Sequence, residues 1–131
     1  MSSLSEAQAY LKKSIPPAFE AQTNNVLLVA EELLVNVFSY AYPKGDEGHA
    51  SVSIETVMMD GEEKLRFCVC DWGAPFNPFE EAKTPDITLD VESRPIGGLG
   101  IFLIKQVSEK QSYHYEDKKN FIEIIFGKTP L

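Results

Sequence analysis

The run VAEELLVNVFSYAYP, Val29 to Pro43, is apolar or aromatic at nearly every position and long enough for several helical turns. A helix that is apolar almost all round belongs inside a core, so the rest of the chain has to supply a layer for it to pack against. Its polar residues stand out for the same reason. Glu32 and Asn36 lie one turn apart in it, where a polar group without a partner costs free energy.

The flanking segments supply that layer. Residues from about Ser5 to Ile15, with Ala7, Tyr10, Leu11 and Ser14 at helical spacing, read as a first amphipathic helix stopped by Pro16-Pro17. Its Ala7, Tyr10 and Leu11 serve either as an interaction face or as packing on the core. Thr23 and Asn24 are candidate caps for the second helix, which runs to about Tyr42 before Pro43, Lys44 and Gly45. ASVSIETVMM and KLRFCVCDW are β-rich runs joined by DGEE, a hairpin signal with Asp60-Gly61 at its centre. A Pro- and acid-rich stretch, residues 75–95, leads into IGGLGIFLIKQVSEK, a glycine-rich entry to a third amphipathic helix. SYHYED and NFIEIIFG then close the chain as a hairpin. With no repeat and no long linker, 131 residues suit one domain over 1–131, of α+β class, with helices on one face of a mostly antiparallel sheet.

Charge and composition restrict partners. Lys+Arg 12 against Asp+Glu 20 gives a net charge of −8, which argues against direct nucleic-acid binding and favours a neutral or basic protein surface. No run reaches the roughly 18 apolar residues of a membrane helix, and MSSLSEAQAYLKK lacks the apolar core of a signal peptide. A cytoplasmic protein is therefore expected. Cys68 and Cys70 in FCVC alternate along a strand and read as plain buried thiols, too close in sequence for an ordinary bridge. His49 and His114 read as surface or packing residues.

Three constellations carry chemistry. On the second helix, at about 100° per residue, Glu32 and Asn36 share a sector with Asn25 and Ser39, opposite Ala30, Leu33, Leu34 and Val37. A carboxylate and an amide oxygen on adjacent turns can serve as a base and as a ligand for a hard cation such as Mg²⁺. A sector that simply faces water is the plain alternative, and Glu31 points away as a surface charge. In DWGAPFNP, Asp71 ends an apolar run and could accept a hydrogen bond from an exocyclic amine, while Gly73 allows close approach; an ordinary turn explains the same residues. In RPIGGLGIF, Gly97, Gly98 and Gly100 precede the apolar face of Ile101, Leu103, Ile104 and Val107. Glycines there either expose backbone N–H groups to an anion or act as a hinge. The spacing is neither a dinucleotide fingerprint nor a Walker loop.

Taken in order, acid-x-x-x-Asn on a helix, Asp-x-Gly after a strand and Gly-Gly-x-Gly before a helix resemble the GHKL ATPase superfamily, the group containing gyrase B, histidine kinases and MutL proteins. Within it, the compact length, DWGAPFNP and GGLGIFLIKQ are most similar to the bacterial anti-sigma regulatory factors, small serine/threonine protein kinases, over about Ala7 to Phe126. The resemblance implies the Bergerat ATP-binding fold of the histidine-kinase-like ATPase domain, a two-layer α/β sandwich with a lid over about residues 75–96. It implies that Asn36 coordinates the Mg²⁺ bridging the phosphates of ATP and that Glu32 is the general base. Asp71 would accept from the adenine amine, Gly73 would give it room, and Gly97, Gly98 and Gly100 would shape the lid end around the phosphates. Arg94, just before the glycines, is a candidate to neutralise charge on the terminal phosphate.

In that family the substrate is a serine on a small anti-anti-sigma partner of STAS type. The unphosphorylated partner competes with a sigma factor for the kinase, and a homodimer of the kinase is common. The alternative is a non-catalytic module of the same fold in which nucleotide only orders the lid. The chain departs from its relatives in three places. It begins too close to the first helix for the strand that usually precedes it. Tyr40 stands where many relatives have histidine, and Lys83 is the only basic residue in the acidic lid segment EEAKTPDITLDVES.

Overall fold

The computed structural model describes residues 2–37, 50–81 and 98–131. Helix α1 (Ser2–Ser14) is followed by a 3₁₀ turn (Pro17–Gln22) that runs directly into helix α2 (Thr23–Asn36). Strands β1 (Ala50–Met59) and β2 (Glu62–Asp71), the short helix α3 (Pro78–Glu81), helix α4 (Gly98–Val107) and strands β3 (Lys110–Glu116) and β4 (Lys119–Phe126) complete the described elements. No helix among them is long and apolar enough to cross a membrane.

The sheet has four strands in the order β1-β2-β4-β3, with every pair antiparallel. Alternation decides its faces. Leu65, Phe67 and Val69 on β2 oppose Phe126, Ile124 and Ile122 on β4 in register, and all six are buried. Val26, Val29, Ala30, Leu33 and Leu34 of α2, Ile101 and Ile104 of α4, Leu11 of α1 and Phe19 of the 3₁₀ turn complete the same core. Each valine, leucine, isoleucine or phenylalanine side chain among them contributes about 1.5–3 kcal/mol when buried. Together they make a two-layer sandwich with helices on one face, the α+β architecture expected from the sequence. Within α1, Leu11 belongs to the core and Ala7 packs against it, whereas Tyr10 is exposed.

The other sheet face is polar. Arg66 bridges Glu55 on β1 and Glu123 on β4, each at 2.5 Å. Half-exposed pairs of this kind contribute at most about 1 kcal/mol each, but they suit a face turned to solvent. Cys68 and Cys70 lie on this face as free, half-buried thiols rather than core residues, and burial pushes both of them up in pKa.

One further local feature differs from the sequence expectation. Thr23 and Asn24 do not cap α2, because the 3₁₀ turn continues into it and leaves no free first turn. Thr23 Oγ1 instead donates back to the Glu20 carbonyl at 2.8 Å. The expected extension of α2 to Tyr42, and His49, lie outside the described residues. The β1–β2 turn is as expected, with Asp60 at φ 53° and Gly61 at φ 80°. In the β3–β4 turn the same left-handed conformation falls on Asp117 and Lys118, at φ 52° and 63°.

Candidate functional site

The polar sector of α2 does not simply face water. Asn36 is 2 % exposed, and its Nδ2 donates to the Glu32 carbonyl one turn earlier at 2.8 Å. That bond fixes the amide, since turning it over would set oxygen against oxygen. The oxygen Oδ1 is left buried, with no donor reaching it among the described residues. A buried acceptor in this condition costs about 1–3 kcal/mol unless something else satisfies it. An amide oxygen is the ligand type that Mg²⁺ takes, so the residue present fits that ion.

Glu32, half-buried, points toward helix α4. A Cβ added to Gly100 would collide with its Oε2 and stand 2.9 Å from its Cδ. The carboxylate therefore lies against the bare backbone of the first turn of α4. Burial, and secondarily the charge of Glu31, raise the Glu32 pKa above the usual carboxylate value, which strengthens it as a base. Glu31 itself is exposed, as its angle on the helix implies. Asn25, in the same sector, donates to Gln22 Oε1 at 2.9 Å and is engaged locally. Gly98 begins α4, so Gly98 and Gly100 lie inside its first turn rather than before it.

A second cluster stands at the end of β2. Asp71 is 1 % exposed, and its Oδ1 accepts from the Gly73 N–H and from Asn120 Nδ2, each at 2.9 Å. Both bonds end on Oδ1, and neither engages Oδ2. The first is an Asx-type turn, so the turn and the acceptor readings of DWGAPFNP are compatible. Burial raises the Asp71 pKa, and the bonds from Asn120 and Gly73 oppose that rise.

Asn120, on β4 directly opposite Asp71, was not among the expected residues, yet it organises this cluster. Its Nδ2 also faces the carbonyls of Gly73 at 3.3 Å and Ala74 at 3.0 Å. Its Oδ1 accepts from the Phe76 N–H at 3.1 Å and from the Tyr113 hydroxyl. Tyr113 also accepts from Phe76 N–H at 3.2 Å. One amide thus anchors the first six residues of DWGAPFNP to the last strand. The available signal was parity, because position 120 alternates with Ile122, Ile124 and Phe126 on the core face. A buried asparagine there needs partners.

The structure therefore joins Glu32, Asn36 and Gly100 in one cluster and Asp71 and Gly73 in another. Arg94, Gly97 and most of the expected lid lie outside the described residues, as do Ser39 and Tyr40. Residues 3–126 match a family model described as the histidine kinase-like ATPase domain. No curated protein matches the chain.

Proposed function

The chain belongs to the histidine kinase-like ATPase domain family, and from that premise we propose that it binds ATP with Mg²⁺ and phosphorylates a serine on an anti-anti-sigma partner of STAS type. In this reading it sequesters a sigma factor when that partner is phosphorylated. The observation that carries it is the buried Oδ1 of Asn36, which no donor among the described residues reaches, one turn from a half-buried carboxylate with a raised pKa.

Asn36 Oδ1 holds the cation, which supplies charge neutralisation at the phosphates when bound. Glu32 takes the proton of the attacking serine hydroxyl as its oxygen bonds to the terminal phosphorus and the bond to the bridging oxygen of ATP breaks. Asp71, held by Asn120 and Gly73, accepts from the adenine amine in a site from which water is largely excluded. Gly73 leaves room for the base, and Gly97, Gly98 and Gly100 enclose the phosphates. Arg94 is assigned to the charge on the terminal phosphate. Phosphate on the partner's serine adds charge to the interface and releases it, which frees the kinase to take the sigma factor.

Calorimetry of ATP with and without Mg²⁺, on the wild type and Asn36→Ala, tests the site. Binding that requires Mg²⁺ and weakens by about tenfold or more in the variant supports the metal assignment; tight binding indifferent to both changes refutes it. With a serine-bearing partner in hand, Glu32→Ala is expected to abolish transfer and retain nucleotide. Transfer unaffected by that change would remove the base assignment, and no transfer by the wild type would favour a nucleotide-gated binding module.

A further inference from the structure

We infer that Gly100 is a positioning residue for Glu32: the missing side chain at this point of α4 is the seat in which the Glu32 carboxylate rests. The inference rests on the kinase reading only for its catalytic consequence, since the seat itself is a matter of packing.

Glycine is a poorer helix former than alanine, so one inside α4 needs a reason to be there. Gly61 has a conformational one, with φ at 80° and nothing within 4 Å of an added Cβ. Gly100 is different. It is buried and helical, and its φ does not call for glycine. Among the described residues, the three atoms nearest to an added Cβ all belong to Glu32: it would strike Oε2 and stand 2.9 Å from Cδ and 3.4 Å from Cγ.

Three atoms at the end of one side chain thus stand closest to the space that Gly100 leaves open. A glutamate has three rotatable bonds, and a wall behind its carboxylate removes orientations that a free side chain would sample. That is the preorganisation a general base requires, because displacement of about 1 Å can cost about 100-fold in rate. The apolar face of α4, Ile101 and Ile104, is buried in the core and fixes the wall in turn. The glycine-rich entry and the acid-x-x-x-Asn helix are therefore one device: α4 aims the residue that α2 supplies.

The test is a four-protein cycle of wild type, Gly100→Ala, Glu32→Asp and the double variant. Alanine improves helix propensity, so Gly100→Ala is expected to remain folded. It should lower kcat for serine phosphorylation by about 100-fold at saturating Mg²⁺-ATP, over and above any loss of nucleotide affinity from its place around the phosphates, which calorimetry reads separately. Glu32→Asp draws the carboxylate back by one methylene and clears the space. In that background Gly100→Ala should alter kcat by less than about threefold, a strong departure from additivity.

Thermal unfolding of the same four proteins reads the contact without reference to activity, and its effects should be non-additive as well. A Gly100→Ala protein with wild-type kcat, or effects that add in both rate and stability, overturns the inference. Non-additive stability in a protein that transfers no phosphate would leave the seat standing and defeat the kinase reading instead.

Discussion

Asp71 and Asn120 are paired across the sheet, yet their removal should have opposite effects. Burial holds the Asp71 pKa above its ordinary 3.8, so the folded protein binds a proton there more tightly than the unfolded chain. Between 3.8 and the raised folded value, stability therefore falls as pH rises, and above that window the ionised buried carboxylate remains a cost. Asp71→Asn keeps an oxygen to accept from Gly73 and Asn120 while removing the charge. Urea unfolding should show it at least as stable as wild type at pH 7, with the acid-side gain reduced. Its ATP affinity should fall by about 10- to 100-fold, the worth of a charge-assisted hydrogen bond to the adenine amine. Asn120→Ala strands several buried donors and acceptors at once, so it should lose about 3 kcal/mol or more in the same unfolding experiment. Because the Asn120 bond lowers the Asp71 pKa, that variant should also push the carboxyl higher still, which a carboxyl-resolved NMR titration can read. Glu32, Asn36 and Asp71 were legible in the sequence because each interrupts or ends an apolar pattern. The role of Asn120 was not, since its partner lies 49 positions away and only the sheet register brings them together.

Secondary elements were readable where a local rule is strong and obscure where a neighbour overrides it. Asp60-Gly61 marks the first hairpin because a left-handed turn favours that dipeptide, and the chain adopts it there. The start of α2 was misread because a capping residue is needed only where a helix begins in open backbone, and here Pro17–Gln22 already winds into it. The second hairpin makes the same left-handed turn without glycine, at a cost of about 1–2 kcal/mol for each non-glycine residue so held. Lys118 is exposed, so Lys118→Gly should relieve the strain without loss of packing. Chemical denaturation is expected to show a gain of about 1 kcal/mol, and an equal loss would indicate that the lysine stem supports the strand end.

At the scale of the molecule, the two-layer sandwich followed from the order of helical and β-rich segments, whereas its closure depends on contacts that no local pattern announces. Gln22, 1 % exposed at the junction of the 3₁₀ turn and α2, donates from Nε2 to the Gly127 carbonyl at 2.9 Å across 105 positions of sequence. Gln22→Ala leaves that carbonyl buried without its donor and should lower the unfolding free energy by about 1–3 kcal/mol, with ATP affinity unchanged. Equal loss of affinity would indicate that this end of the molecule communicates with the nucleotide site. The strand order β1-β2-β4-β3 has a further consequence, for biosynthesis. The neighbour that anchors Asp71 is the last of the described strands in chain order, so a growing chain carries the acid and the glycine of its loop before it carries Asn120. Until Asn120 has been made, the bonds that hold the Asp71 loop to β4 cannot form. The proposed hold on adenine therefore waits for β4, whatever else of the fold has formed by then.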